Sequence, residues 1–414
     1  MDDNRRHDKP LDTALTLILD QVSTIADHGM QPLEDCLGHI LRQDVIARID
    51  VPQQDTAAVD GYAFYAEDIA HGNPSLPVVG SIKAGHPYQG KAERGAAYRI
   101  FTGAPMPAGP DTIAMEEYCT VGKDGKITLP EGIRKGSNFR PGGENVRTGD
   151  IVLRAGTRLG PSEIGLAAAV GEHQLDVSIP LKVALLSMGD EVCEAGSPAG
   201  FDEGMIHDSN RPMLKALMIS DNLRVVDGGI IPDDRATLTK AFASQLTAAD
   251  VLVTSGGSSA GEEDHARQAI IDNGGGIDFW RLAMKPGRPM AVGRIGDKYV
   301  FCLPGNPVAA FVCYRLLVAP VLKRLQGGNI EPVMKITVPA GFAHQHKPGR
   351  AEYLRAKLVA KDDGRISVTL HGRAGAGVLS SLTGADGLVE IPADIGNVKE
   401  GDPLPFIPLR EPSL

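Results

Sequence analysis

Between residues 181 and 327 the chain alternates short apolar runs with amphipathic stretches, a pattern that few folds accept. KVALLSMGD is an apolar run ending in a polar loop, NRPMLKALMI reads as a helix, and RVVDGGII as a strand. ATLTKAFASQL is helical, DVLVTSGG is a strand, and DHARQAIID is helical again. PMAVGRI and YVFCLPG follow as strands, and NPVAAFVCYRLLVAPVLKRL closes as one long helix. A strand that is apolar along its whole length must be covered on both faces. Such strands separated by helices predict a doubly wound, mostly parallel sheet. Ligands of these sheets bind outside the carboxyl ends of the strands.

The flanks differ. Leu11, Leu15, Ile18, Leu19 and Val22 recur at helical spacing, and a second short helix is expected over residues 33–41. Residues 51–145 are rich in Gly and Pro with short β-like runs at 76–82 and 98–101, as in a small inserted β-domain. PSEIGLAAAVG, residues 161–171, reads as a helix with Ser162 as its cap, so the first region is discontinuous. From about residue 329 the pattern alternates through KITVPA, EYLRAKLVA, ISVTLHG and LVEIPA, with Asp362-Asp363-Gly364 as a hairpin-like turn. That is a small β-barrel or sandwich. With 414 residues, too many for one core, the chain is expected to be multidomain α/β plus β. The expected parts are residues 1–50 with 146–180, residues 51–145, residues 181–328 and residues 329–414.

Charge narrows the function. Lys and Arg number 42 against 52 Asp and Glu, a net charge of −10, which disfavours binding a nucleic-acid backbone. Aromatics at 5% are too few for a base-stacking surface. An anionic ligand must then be held locally. The 5 cysteines are isolated, with no metal-binding spacing, which points to free thiols and a reducing compartment. The start MDDNRRHDKPLD has no apolar signal core, and no run is long enough to span a membrane, so a cytoplasmic location is expected.

Three turns from strand into helix or loop carry candidate chemistry. In Thr254–Asp264 (TSGGSSAGEED), Gly256, Gly257 and Gly261 let backbone N–H groups approach an anion, and Ser258 and Ser259 add donors. Asp264 there is either a metal ligand or a capping residue. No Lys-Ser/Thr follows, so this is not a Walker loop. Gly305 and Asn306 lie on a second turn, where Pro307 also suits an ordinary helix start. Lys285 and Arg288 flank a third, which suits an oxyanion or is simply solvated. Asp190, Glu191, Asp208, Asp233 and Asp234 fall at strand ends, as caps or as ligands of a divalent cation beside a phosphate. The histidines are scattered and make no Ser-His-Asp set.

AAVDGYAF, FTGAPMPAG, SMGDE, HDSN, TSGGSSAGEED, FWRLAMKPGRP and CLPGNPVAAF occur in this order. Together they resemble the bacterial molybdopterin molybdenumtransferase family, whose relatives include the gephyrin E domain. The resemblance covers nearly the whole chain. GGxSxGxxD alone is shared with molybdopterin adenylyltransferase, which lacks the VDGYA and TGAPMP blocks and the extra β-domains. The resemblance implies a helical linker region, an inserted β-domain, a doubly wound domain and a C-terminal β-barrel. It also implies a homodimer with a cleft shared between subunits. The implied reaction takes adenylylated molybdopterin and molybdate, releases AMP, and leaves molybdenum on the dithiolene. Asp60, Thr102, Glu191, Asp233, Asp264, Lys285 and Arg350 match functional positions. Asp208, Ser209, Arg281, Arg288 and Ser380 are expected, with the glycine-turn residues, to contact substrate.

Three departures stand out. Asn145 replaces a usual carboxylate, Arg281 a usual lysine, and Ala376 an expected serine, with Ser380 and Ser381 nearby; PQQDT at residues 52–56 is also atypical. The substrate pyrophosphate is expected on the Gly256–Gly261 loop, with Mg²⁺ bridging it to Asp264 and Glu191. Lys285, Arg288 and Arg350 are expected to hold molybdate. An adenylyltransferase acting one step earlier, also the partner class expected, and a scaffold that has lost catalysis are the rival readings.

Overall fold

A computed structural model of the chain describes residues 8–69, 75–197, 204–256, 265–360 and 364–409. It divides into two compact units. One comprises Met1–Gly29, Gly38–Arg42 and Val177–Leu414; the other comprises Met30–Leu37 and Gln43–Asp176.

In the first unit, six strands form one sheet in the order Arg224–Ile231, Lys182–Met188, Val251–Ser255, Lys298–Leu303, Pro289–Ile295, Gly276–Arg281. The first four are parallel neighbours, and Pro289–Ile295 runs antiparallel to both strands beside it. Successive side chains of one strand separate into two cores. Val183, Leu185, Val251, Val253, Phe301 and Leu303 pack with Leu214, Met218 and the residues of the 307–325 helix. Ala184, Leu186, Met188, Leu252 and Val300 pack with Leu238, Phe242, Ala266 and Ile270 on the other face. Two apolar faces are what unbroken apolar strands demand.

The helix from Pro307 is not uniform. It is π-helical from Tyr314 to Val318 before resuming as Ala319–Leu325. Pro320 has no N–H to return to Leu316, and the wider turn absorbs the missing bond. The helix Leu11–Leu19 joins the first of the two cores through Leu11, Ala14 and Ile18.

A second sheet of this unit runs Met284–Lys285, Ala351–Ala360, Gly387–Ile391, Pro403–Pro408, Ile336–Pro339, with Ile366–Leu370 pairing the far half of Ala351–Ala360. Pro403–Pro408 was not among the strands expected from sequence, because three prolines break its alternation. Gly341 N donates to Val368 O at 2.7 Å and Ala340 bridges Val368. Met284–Lys285 is the piece that matters for the site, since the strand returning from the doubly wound sheet pairs directly with Ala351–Glu352. Asp362 and Asp363 of the expected turn lie outside the described residues.

The second unit holds a six-stranded sheet in the order Thr112–Met115, Gly61–Phe64, Ala97–Ile100, Ser75–Ile82, Lys126–Thr128, Thr120–Val121. Two expectations are corrected here and at the boundary segment. Residues 33–41 form only the single 3₁₀ turn Leu33–Asp35, since Gly38 at φ +81° stops any continuation. In the helix Pro161–Ala169 the cap is Gly160, not Ser162, with Glu163 reaching back to accept from Gly160 N at 2.9 Å.

Candidate functional site

Strand ends and loops of the first unit enclose a cleft of about 430 Å³ at the carboxyl edge of the doubly wound sheet. It is lined by Glu191, Asp208, Ser209, Asp233, Gly256, Gly305 and Asn306, all expected from sequence. Two glycines make this edge. Gly189 has φ +137°, and a Cβ there would meet Glu191 Oε2 at 2.6 Å. Gly256 has φ +91°, and a Cβ would meet Met188 O at 2.4 Å. Only glycine lets these turns close so tightly. The loop beyond, with Gly257, Ser258, Ser259, Gly261 and Asp264, lies outside the described residues. Among the described residues no three His, Cys, Asp or Glu groups gather as a metal cluster.

The carboxylates divide by task. Asp208 is buried and fully engaged: Oδ1 accepts from Asn210 N at 3.1 Å and Arg211 N at 3.0 Å, and Oδ2 from Arg211 Nε at 3.1 Å. Arg211 also pairs with Asp227 at 2.5 Å and with Glu194. Asp208 is therefore anchored by its cation rather than offered to a ligand. Asp234 caps its helix by accepting from Thr237 N at 2.8 Å. Asp190 accepts from Asp233 N at 3.0 Å. Glu191 and Asp233 also line the cleft.

A second cleft of about 450 Å³ adjoins the first, sharing Pro289, Pro304 and Asn306. It is basic. Lys285, Arg288 and Arg350 line it as expected, together with Arg355, Glu352 and Ala376. Lys285 Nζ lies 2.7 Å from Glu352 Oε1, and His344 Nε2 lies 3.1 Å from Oε2. Burial alone would raise the Glu352 carboxyl, but hydrogen bonds from Lys285 and His344 outweigh it and hold the group below its ordinary range. Arg288 pairs with Asp8 at 2.7 Å, while Arg350 has no ion pair among the described residues.

Sequence reasoning passed over Arg355 and Glu352. Arg355 is 4% exposed and donates to Ser381 Oγ at 2.8 Å and to the carbonyls of Arg373 and Gly375 at 3.1 and 3.3 Å. Burial lowers its pKa, and the nearby Glu352 charge works against that lowering. The signal was two charges inside the strand EYLRA, where a buried sheet strand carries charge only for a reason.

Two expected contacts lie elsewhere. Arg281 lines neither cleft; its guanidinium sits 5.1 Å from the Trp280 ring centre. Ser380 also lines neither, while its neighbour Ser381 is buried under Arg355. His207, at the rim of the acidic cleft, approaches Cys193 Sγ at 3.6 Å, a proximity that the sequence spacing of 14 did not suggest. In the second unit, Asp60 Oδ1 accepts from Thr102 N and from Thr102 Oγ1, both at 2.7 Å. The backbone N–H of Thr102 first, and its hydroxyl next, hold Asp60 below the ordinary carboxylate range. The two residues expected to act together are thus bonded partners.

Three family models match in chain order. "MoeA N-terminal region (domain I and II)" covers residues 9–171, "Probable molybdopterin binding domain" residues 184–324, and "MoeA C-terminal region (domain IV)" residues 337–409. The molybdopterin molybdenumtransferase of Haemophilus influenzae is 34% identical over 401 residues, 97% of this chain and 98% of that protein. The chain belongs to the MoeA family. A molybdopterin molybdenumtransferase 2 of Mycobacterium tuberculosis is 33% identical over 384 residues, 90% of this chain and 93% of its own length. A crystal structure of the molybdopterin biosynthesis moeA protein from Pyrococcus horikoshii OT3 matches 97% of this chain and 100% of its own, with TM-score 0.82 at 27% identity.

Within a MoeA frame the three departures have clear places. Asn145 donates its backbone N–H to Val51 O at 3.0 Å. Arg281 stacks on Trp280. Ala376 lines the basic cleft and accepts from Val308 N at 3.0 Å through its backbone, so a methyl stands where a hydroxyl was expected.

Proposed function

We propose that this chain transfers molybdenum from molybdate to adenylylated molybdopterin, releasing AMP and giving molybdenum cofactor. The observation that carries the reading is the pairing of an acidic and a basic cleft at one sheet edge, in a chain that matches nearly the whole of a MoeA-family relative. The phosphates lie on the loop that begins at Gly256. Lys285, Arg288 and Arg350, with Arg355 beneath them, hold the molybdate oxyanion by charge-assisted hydrogen bonds. Aligned donors in a partly desolvated cleft stabilise charge as the phosphoanhydride breaks. Asp60 and Thr102 are assigned to the same reaction from the resemblance.

Magnesium is part of this proposal, and the donor set suits it. Glu191 lines the acidic cleft and offers hard carboxylate oxygens. Glu191 and Asp264 would hold the ion, which when bound would offset the charge of the phosphates. The five cysteines are free, which supports a cytoplasmic setting. Among the described residues no helix is long and apolar enough to cross a membrane. An adenylyltransferase is the partner class that the substrate demands.

The wider organisation is also proposed: a homodimer, and four parts at residues 1–50 with 146–180, 51–145, 181–328 and 329–414. The last is read as a β-barrel closed through the Ala340–Val368 bridge. The decisive experiment measures AMP release from adenylylated molybdopterin with and without molybdate. Molybdate-dependent release is expected. Consumption of ATP with no release of AMP from the adenylylated substrate would point instead to the adenylyltransferase step.

A further inference from the structure

The floor of the acidic cleft carries two buried polar atoms with no partner among the described residues. Ser187 is 2% exposed and Asn210 8% exposed, and both line the cleft. Ser187 Oγ and Asn210 Oδ1 are each without a hydrogen bond. They are neighbours through one residue. Ser187 is the sheet partner of Ser255, and Asn210 Nδ2 donates to Ser255 Oγ at 2.8 Å. Asn210 Nδ2 also donates to Gly305 O at 2.6 Å, which fixes the amide's orientation, because a carbonyl can only accept. Oδ1 is therefore left as an acceptor at the base of the cleft.

Buried polar atoms are almost always paired, and leaving one unpaired is costly. Such atoms on the floor of a ligand cleft are accounted for by a ligand that completes them. An amide oxygen cannot pair with a phosphate or molybdate oxygen, since those only accept. The amide oxygen therefore calls for an N–H donor from the part of the substrate seated against it. Flat apolar groups from Pro289, Pro304 and Pro307 line the same cleft and suit an aromatic ring.

From this we infer that Asn210 and Ser187 are specificity-determining residues that read the N–H edge of a heteroaromatic ring, the aminopyrimidinone edge of the pterin, and so set the direction in which substrate lies. The assignment rests on the proposed molybdenum-transfer reading. The ring enters the acidic cleft, and the oxyanion end points toward Lys285, Arg288 and Arg350. Adenine shares the donor chemistry but has a single amino group beside a ring acceptor. The pterin edge offers an amino group and an adjacent ring N–H, which matches an acceptor beside a hydroxyl.

The test is Ser187→Ala, which removes only the unpaired hydroxyl, with Asn210→Ala as a second variant. KM for adenylylated molybdopterin should rise about 5- to 10-fold in Ser187→Ala, with kcat changed less than KM, as expected for one neutral hydrogen bond. Thermal melting should hold or rise, because a buried unpaired hydroxyl has been removed. A soluble pterin, 6-hydroxymethylpterin, titrated by its fluorescence should bind the variant about 5- to 10-fold more weakly, with AMP binding unchanged. An unchanged KM and unchanged pterin binding in Ser187→Ala would overturn the inference, and so would weakened AMP binding with pterin binding intact. Wild-type turnover in the same assay keeps the outcomes apart: its absence would count against the proposed reaction, not against the ring-reading pair.

Discussion

At the residue scale the basic cleft depends on one buried acid. Glu352 is 3% exposed, and Lys285 and His344 each take one of its oxygens. Lys285→Ala should abolish turnover and also lower stability, by about 1–2 kcal/mol once the exposure of Lys285 is allowed for. The pH dependence has a definite sign. The folded Glu352 carboxyl lies below its ordinary value of 4.5, so its contribution is present above that value and is lost as pH falls below it and through the lower, folded value. Melting temperatures at pH 7 and pH 4 should therefore differ less in Lys285→Ala than in wild type, as far as this group contributes. An equal gap in both proteins would mean that Lys285 does not set the Glu352 titration. Asp264→Asn should keep the wild-type melting temperature and lose metal-dependent AMP release; full activity would remove Asp264 from the site.

At the scale of elements, the site edge is made by turns that only glycine can take. Gly256 has φ +91° at the end of Val251–Ser255 and faces the carbonyl of Met188. Gly256→Ala must either move that carbonyl or unwind the turn, at a cost of roughly 1–3 kcal/mol. Substrate affinity should fall together with the melting temperature, by calorimetry and KM measured side by side. A variant with normal values of both would show the turn to be slack. The helix Pro161–Ala169 offers a control away from the clefts. Glu163→Ala removes the acceptor of Gly160 N and should cost about 1 kcal/mol without touching KM. These strand ends were legible as candidate sites because apolar runs stop at Gly and carboxylate. Their division into two clefts was not, since it depends on Met284–Lys285 pairing with Ala351–Glu352, far along the chain.

At the scale of the whole molecule, the proposed homodimer is tested by light scattering on this chain at micromolar concentration, where a monomer would contradict it. If the functional residues of two subunits serve one cleft, Asp60→Ala and Lys285→Ala should each be inactive and should recover activity when mixed. Random exchange makes about half of the dimers mixed, each with one working site, so roughly a quarter of wild-type activity should return. No recovery despite demonstrated exchange would place the site within one chain.

Sequence by itself determined the doubly wound domain, because apolar period and helix spacing are local properties that burial on both faces makes unambiguous. It also pointed to the carboxyl edge of that sheet, and Glu191, Asp208, Ser209, Asp233, Gly256, Gly305 and Asn306, named from sequence, are among the residues that line the acidic cleft there. Tertiary structure decided what each of those residues is free to do. Asp208 and Glu191 look alike in sequence, yet Arg211, three residues after Asp208, engages one carboxylate and leaves the other facing the cleft. Arg281 and Ser380 carry suitable chemistry but lie outside both clefts, whereas Arg355 and Asn210, neither among the expected site residues, line them. The physical reason is that residue type fixes which hydrogen bonds and charges a side chain can offer, while only the packed fold fixes which of them are already taken.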